Sequence, residues 1–148
     1  MYHAIVKRIA PRNFERVNDH DYEALLKNCT PDVHHRFGGH HALGGERHDK
    51  EALRRWFGSV GWGDSQAHGA GRLGQSLPND TTVIIRWNAT QTLPDGSPYA
   101  NHGVHIVQMR CGRIIAIDAN EHSQVVAESM PVFAAAGVED ALAEPITS

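Results

Sequence analysis

Residues 81–121 read TTVIIRWNATQTLPDGSPYANHGVHIVQMRCGRIIAIDANE, and this stretch decides the fold. Thr81 to Leu93 is rich in β-branched and aromatic residues, with Val83, Ile85, Trp87 and Ala89 on one face, so it predicts a strand. Pro94-Asp95-Gly96-Ser97 is a turn sequence with a mechanism, because Pro presets φ, Asp bonds its own backbone and Gly tolerates positive φ. Tyr99 to Arg110 and Arg113 to Glu121 predict two further strands joined at Cys111-Gly112. Turns at this spacing imply an antiparallel meander.

Upstream the period changes. Ile5, Val6, Ile9, Phe14, Val17, Tyr22, Leu25 and Leu26 recur at three- and four-residue steps, the signature of amphipathic helix. Pro11 kinks or restarts the first helix, and a second begins near Asp21 and stops before Thr30-Pro31, with Asp19 or Asp21 as its N-cap. Asp32 to Phe37 predicts a short strand, and Gly38 to Arg47, with four glycines, a loop. Asp49 caps a third helix whose Leu53, Trp56, Phe57 and Val60 form one apolar stripe. Six glycines between Gly58 and Gly74 predict a mobile connection able to act as a lid. After the meander, a last helix runs from Ser123 to Pro131, followed by an alanine-rich tail of weak helical character before Pro145.

The 148 residues fit one domain, 1–148, able to bury its own core, and helices followed by a long sheet make it α+β. With 41% hydrophobic and 21% charged residues, folding needs no metal or disulfide staple. A formal charge of −3 and scattered basic residues argue against nucleic acid as a partner. No run approaches the roughly 18 apolar residues of a membrane span, and Lys7 and Arg8 interrupt the N-terminal apolar stretch, which lacks a signal-peptide cleavage pattern. The expectation is a cytoplasmic protein. Cys29 and Cys111 match no C-x-x-C spacing, which excludes a zinc ribbon or thioredoxin-type motif and leaves a single bridge between them open.

The chain resembles the SnoaL-like domains of the nuclear transport factor 2-like (NTF2-like) superfamily. The residues that carry the resemblance are Asn13-Phe14-Glu15-Arg16, Asp21-Tyr22-Glu23-Ala24-Leu25-Leu26, Pro31-Asp32-Val33-His34-His35-Arg36-Phe37, His41-Ala42-Leu43-Gly44-Gly45-Glu46-Arg47, Glu51-Ala52-Leu53-Arg54-Arg55-Trp56-Phe57 and Asp95-Gly96-Ser97-Pro98-Tyr99, with Gly103-Val104-His105 and Gly112-Arg113-Ile114-Ile115. It spans residues 3–130 and leaves 131–148 as a C-terminal tail. It implies a cone-shaped, cystatin-like α+β fold: a curved antiparallel sheet wrapped around three N-terminal helices, with a short C-terminal helix, an apolar pocket and a homodimer through the convex sheet face. Ketosteroid isomerases, polyketide cyclases, limonene epoxide hydrolase, dehydratases and noncatalytic binding domains share this fold, so it names no reaction by itself.

The chain carries eleven histidines, and His34, His35, His40, His41 and His48 fall in one window. Histidine titrates near neutral pH and is the commonest transition-metal ligand, so the window raises both chemistries. Residues two apart on a strand share a face. If Val33 and Phe37 point into the core then so does His35, while His34 and Arg36 point out. Tyr99, Asn101, Gly103, His105, Val107 and Met109 form another shared face. The resemblance places His105 where ketosteroid isomerase has an oxyanion-hole carboxylic acid, and Phe37 where that enzyme has its general-base aspartate. Relatives often read Tyr-x-Asp-Thr near the end of the last strand, where this chain has Asn120-Glu121-His122-Ser123. Classical steroid isomerisation is thereby disfavoured, and no inward Asp-Arg-Asp set supports epoxide hydrolysis.

The expected catalytic residues are His105, His35 and Glu121, working as general acids and bases on a small apolar molecule lined by Phe37, Trp56, Trp87, Tyr99, Asn101 and Val107. A histidine desolvated among Trp87, Val107 and Met109 would stay neutral. The alternative is a noncatalytic module that binds a small molecule or mediates dimerisation. A metal site would need His35, His41 and a distant histidine, and because His34 and His35 face opposite ways and His40-His41 lie on a turn, the expectation is no metal and no cofactor.

Overall fold

A computed structural model of the chain describes residues 12–13, 15–59, 66–77 and 80–148. The expected first-helix segment up to Pro11 lies outside the described residues, as does Val60 of the third-helix stripe. Residues 15–18 are helical, and His20, at φ 57°, takes the left-handed conformation that ends this stretch. Asp21 then caps α1 (Tyr22–Leu26) by accepting a hydrogen bond from the Ala24 N–H at 3.3 Å.

The strands are β1 (Cys29–Phe37), β2 (Gly45–Arg47), β3 (Gln66–Leu77), β4 (Asp80–Thr92), β5 (Pro98–Arg110) and β6 (Arg113–Glu121). They form one sheet in the order β2-β1-β6-β5-β4-β3. The meander from β3 to β6 is antiparallel, and β1 docks parallel to β6, which makes the sheet mixed at that one pairing. Between β5 and β6, Cys111 and Gly112 both have positive φ, 50° and 77°, the pattern of a two-residue hairpin turn that matches strand twist. No disulfide joins the cysteines: Cys29 is buried and Cys111 sits on this surface turn.

Helix α2 (Lys50–Ser59) follows the Asp49 cap, whose carboxylate accepts from the Ala52 N–H at 2.7 Å. Its Leu53, Trp56 and Phe57 are buried against β1, and the Trp56 indole N–H donates to the Leu43 carbonyl at 2.9 Å. Helix α3 (Ser123–Ala135) buries Val126, Ser129, Met130 and Phe133. The helices cover one face of the sheet with Leu25, Leu26, Val33, Val83, Val107 and Met109 in the core between them. No helix among the described residues is long and apolar enough to cross a membrane.

Several sequence expectations need correction. The first strand begins at Cys29 rather than Asp32, and the expected loop from Gly38 to Arg47 ends in β2, which pairs His35 with Arg47 and Phe37 with Gly45. Much of the Gly58–Gly74 connection is not a lid, because Gln66–Leu77 is a strand along β4, and residues 60–65 lie outside the described residues. Glycine weakens a strand's side-chain packing but keeps its N–H and C=O, so backbone pairing survives where hydrophobic pattern is absent. The last helix runs past Pro131 to Ala135: proline removes one N–H, and the buried Met130 and Phe133 on either side offset the loss. The tail forms a 3-10 turn at Glu139–Leu142 and then returns to β2, where the Ser148 N–H donates to the Glu46 carbonyl at 3.3 Å.

Candidate functional site

Strand register collects the expected site residues into rows. Trp87, Gly103 and Glu121 are cross-strand partners over β4, β5 and β6. Ile85, His105, Ala119 and Phe37 form the next row, and Val83, Val107, Ile117, His35 and Arg47 the one after. Partners in register share a face, so these rows lie on the side the helices cover. Asn101 and Tyr99 continue the β5 face beyond Gly103, and Trp56 reaches the same face from α2.

His35 is 3% exposed, while His34 and Arg36 stand on the other face, as alternation requires. The Trp56 ring packs against it at 4.5 Å edge-on, and Phe37 and the Arg47 guanidinium also lie over Trp56, at 5.3 Å each. Its Nδ1 is buried with no hydrogen-bond partner among the described residues. Burial first, then the charges of Arg47 and His105, hold its pKa well below the usual histidine range. His105 packs its ring 5.5 Å from Trp87 and is pulled down to about 4 by desolvation, against the opposing charge of Asp118. Both imidazoles are therefore neutral at physiological pH.

Glu121 takes the opposite shift. Both carboxylate oxygens are buried without a hydrogen-bond partner among the described residues, and burial pushes the acid up to about 7. The backbone of Glu121 and Gly38 and the charge of Arg36 oppose that shift without cancelling it. The neighbouring His122 is exposed and precedes α3, so of these two titratable groups at the end of β6, Glu121 is the one on the helix-covered face.

Asn101 is 4% exposed and already engaged: its amide donates to the Tyr99 hydroxyl at 3.1 Å, and its oxygen accepts from the His102 and His122 backbone N–H groups at 2.7 and 3.2 Å. It ties the end of β6 to β5 and fixes where Glu121 sits.

Two residues outside the expected catalytic and lining set belong to this neighbourhood. His41 packs edge-on at 6.0 Å from Phe37, its two ring nitrogens are buried without a hydrogen-bond partner among the described residues, and burial lowers its pKa. Arg47 is 0% exposed, and its guanidinium donates to the carbonyls of Gly44 at 2.9 Å, of Ile146 at 3.0 Å and of Gly45, leaving Nε unpaired among the described residues. Neither residue lies in a stretch long enough to show a period, and that is the signal strand alternation needs. The combination that a metal would need there, His35 and His41 with a distant histidine, is not assembled among the described residues. Away from these rows, Pro94, Asp95, Pro131, Val132, Ala135 and Ala136 line a groove of about 360 Å³, which brings Asp95 but no second titratable group.

A SnoaL-like domain family model matches residues 11–117. Among solved structures, a putative isomerase from Bacillus subtilis is 16% identical, with 89% of this chain and 97% of that chain covered and a TM-score of 0.72. PrhC from Penicillium brasilianum NBRC 6234 is also 16% identical, covering 91% of each chain at a TM-score of 0.71. The beta subunit of the benzoate 1,2-dioxygenase from Burkholderia mallei ATCC 23344 is 12% identical over 78% of this chain and 87% of that one, at a TM-score of 0.60. Among curated proteins, none matches the chain by sequence. Identities this low show a shared fold and carry no activity across. The solved structures share the fold, and the family model spans most of the chain, so the chain belongs to the SnoaL-like domain family.

Proposed function

We propose that the helix-covered face of the sheet performs acid/base chemistry of the cyclase, isomerase or dehydratase type on a small, largely apolar molecule. The observation that carries this reading is Glu121: a carboxyl with no hydrogen-bond partner among the described residues and an acidity pushed up to about 7 exchanges a proton near neutral pH. His105, one row away and neutral, supplies an imidazole that donates to a developing oxyanion or relays a proton, and His35 stands behind it. Phe37, Trp56, Trp87 and Val107 give the surroundings an apolar character, with Tyr99 and Asn101 at the polar end. No cofactor is needed for proton transfer between these groups.

The test begins with native mass spectrometry and thermal shift against small cyclic ketones, enones and hydroxy acids, followed by turnover of whichever compound binds. His105→Ala and Glu121→Gln should each lower turnover by about 10²- to 10⁴-fold, the usual contribution of a positioned acid or base. Unchanged turnover in both variants overturns the assignment.

One observation favours a noncatalytic binding module instead. His35 is sealed under Trp56 with 3% exposure, which suits a packed histidine better than one that meets a ligand. Ligand capture with no turnover, and affinity indifferent to Glu121→Gln, would select that module. In either reading we expect a homodimer through the uncovered sheet face, where Ile84 is 40% exposed opposite Ile106, and sedimentation at micromolar concentration checks it.

A further inference from the structure

The uncovered side of the β1–β2 edge carries a second cluster, unrelated to the chemistry just proposed. His34 Nε2 lies 3.1 Å from Glu46 Oε2, and His48 Nε2 lies 3.7 Å from the same oxygen. The three donor atoms all fall within 4.8 Å of one another. The two imidazole rings stack at 4.5 Å with 17° between their planes, so one exposed ring turns about its side-chain torsions for both Nε2 lone pairs to meet one ion. We propose that His34, Glu46 and His48 form a binding site for a borderline divalent transition cation such as Zn²⁺, held by two imidazoles and one carboxylate.

The geometry follows from the strand pairing. Register places Arg36 opposite Glu46 and His35 opposite Arg47, which brings His34 level with His48, and the Glu-Arg-His sequence of residues 46–48 puts Glu46 and His48 on one face. A tetrahedral ion with bonds of about 2.0–2.1 Å needs donors roughly 3.3–3.5 Å apart, and the two observed separations bracket that value. The nearby cation does not compete for the carboxylate, because Arg36 pairs with Asp118 at 3.3 Å across the β1–β6 ladder. Three protein donors leave a fourth position open to water or to an added ligand, since the side chains of His34, Glu46 and His48 are 45%, 49% and 54% exposed. The mixed nitrogen and oxygen donors suit zinc, nickel, cobalt or copper rather than calcium or magnesium.

The occupied site would cross-link β1 to β2 and, through β2, to the tail, because the His48 N–H donates to the Ser148 hydroxyl at 2.8 Å. It lies on the opposite face of the sheet from His35 and Arg47, so it neither adds to nor depends on acid/base chemistry on the covered face.

The experiment titrates the untagged full chain with ZnCl₂ by calorimetry, counts bound ions by mass spectrometry, and repeats both with variants. One Zn²⁺ per chain should bind, His34→Ala and His48→Ala should each weaken it by at least tenfold, Glu46→Gln should weaken it by less, and His40→Ala should leave it unchanged. Zn²⁺ should also raise the thermal midpoint of the native chain and fail to raise that of the His34→Ala/His48→Ala double variant, because an ion that binds only the folded state stabilises it. The side chains are exposed, so circular dichroism should show the variants folded. Absence of saturable binding, or binding that persists in the double variant, or binding lost on His40→Ala and kept on His34→Ala, overturns the proposal.

Discussion

At Gly103 a missing side chain sets the approach of two strands. A Cβ built there would stand 2.2 Å from the Asn120 carbonyl oxygen, 2.9 Å from the Glu121 Cα and 3.0 Å from the Trp87 ring. Trp87 thus lies across a position where only glycine fits, directly in line with Glu121. Gly103→Ala should lower stability by about 1–3 kcal/mol, the cost of overpacking a filled site, and should move the Glu121 titration away from pH 7 because the end of β6 must shift. Urea unfolding and carbon-13 detection of the carboxyl measure the two effects, and an unchanged Glu121 titration would show that the glycine does not position it. At this scale the sequence was legible wherever alternation applied: Val33 and Phe37 oriented His35, and Val107 and Met109 oriented His105. The burial of Glu121 was not legible, since it depends on the approach of Gly38 from a loop without period.

Among the elements, β2 is the shortest strand, and a single buried side chain anchors it. Arg47 spends its guanidinium on three carbonyls, one of them Ile146 in the returning tail, and burial holds its pKa down to about 10. Arg47→Leu would leave the Gly44, Gly45 and Ile146 oxygens without this donor, at a cost of about 2–4 kcal/mol, because buried acceptors that lose their donor keep their desolvation penalty. It should also release the tail, so that the His48 and Ser148 amides exchange with solvent faster; exchange at the native rate would mean that the tail holds without Arg47. Neither β2 nor this return was legible in the chain. Three residues give no alternation, and a contact ninety-nine residues long leaves no local trace. The β4–β6 meander was legible because its turns carry their own chemistry, as with the Asp95 carboxylate that accepts from the Ser97 N–H at 2.9 Å. The glycines of β3 and Pro131 of α3 misled for a shared reason: both report local preference, and pairing along β4 or burial beside Phe133 outweighs it.

For the molecule as a whole, the buried titratable groups pull stability in opposite directions with pH. His35 and His105 have folded-state pKa values below the unfolded value of 6.5, so the stability they contribute is present above pH 6.5 and is lost as pH falls, for His105 down to about 4. Glu121 is raised from 4.5 to about 7, so its contribution is full below pH 4.5 and is lost as pH rises through 7. Between pH 4.5 and 6.5 the unfolded chain takes up two protons at the histidines while the folded chain keeps one at Glu121, so acidification destabilises by a net proton, about 1.4 kcal/mol per pH unit at most. From pH 6.5 to above 7 the remaining protons of the unfolded-state histidines and the proton lost by folded Glu121 nearly cancel, so stability levels off. The thermal midpoint should therefore rise from the acid side and level off near pH 7. Glu121→Gln should steepen the fall on the acid side, since the folded chain then keeps no proton there, while lowering turnover by about 10²- to 10⁴-fold, which separates a carboxyl kept for chemistry from one kept for stability. His105→Leu should make the profile nearly flat between pH 4.5 and 6.5, because the one proton that the unfolded chain then takes up at His35 matches the one that the folded chain keeps at Glu121. Calorimetric midpoints for the three proteins between pH 4 and 8 measure the profile, and a Glu121→Gln curve parallel to the native one would mean that this carboxyl titrates in the folded chain as it does in the unfolded.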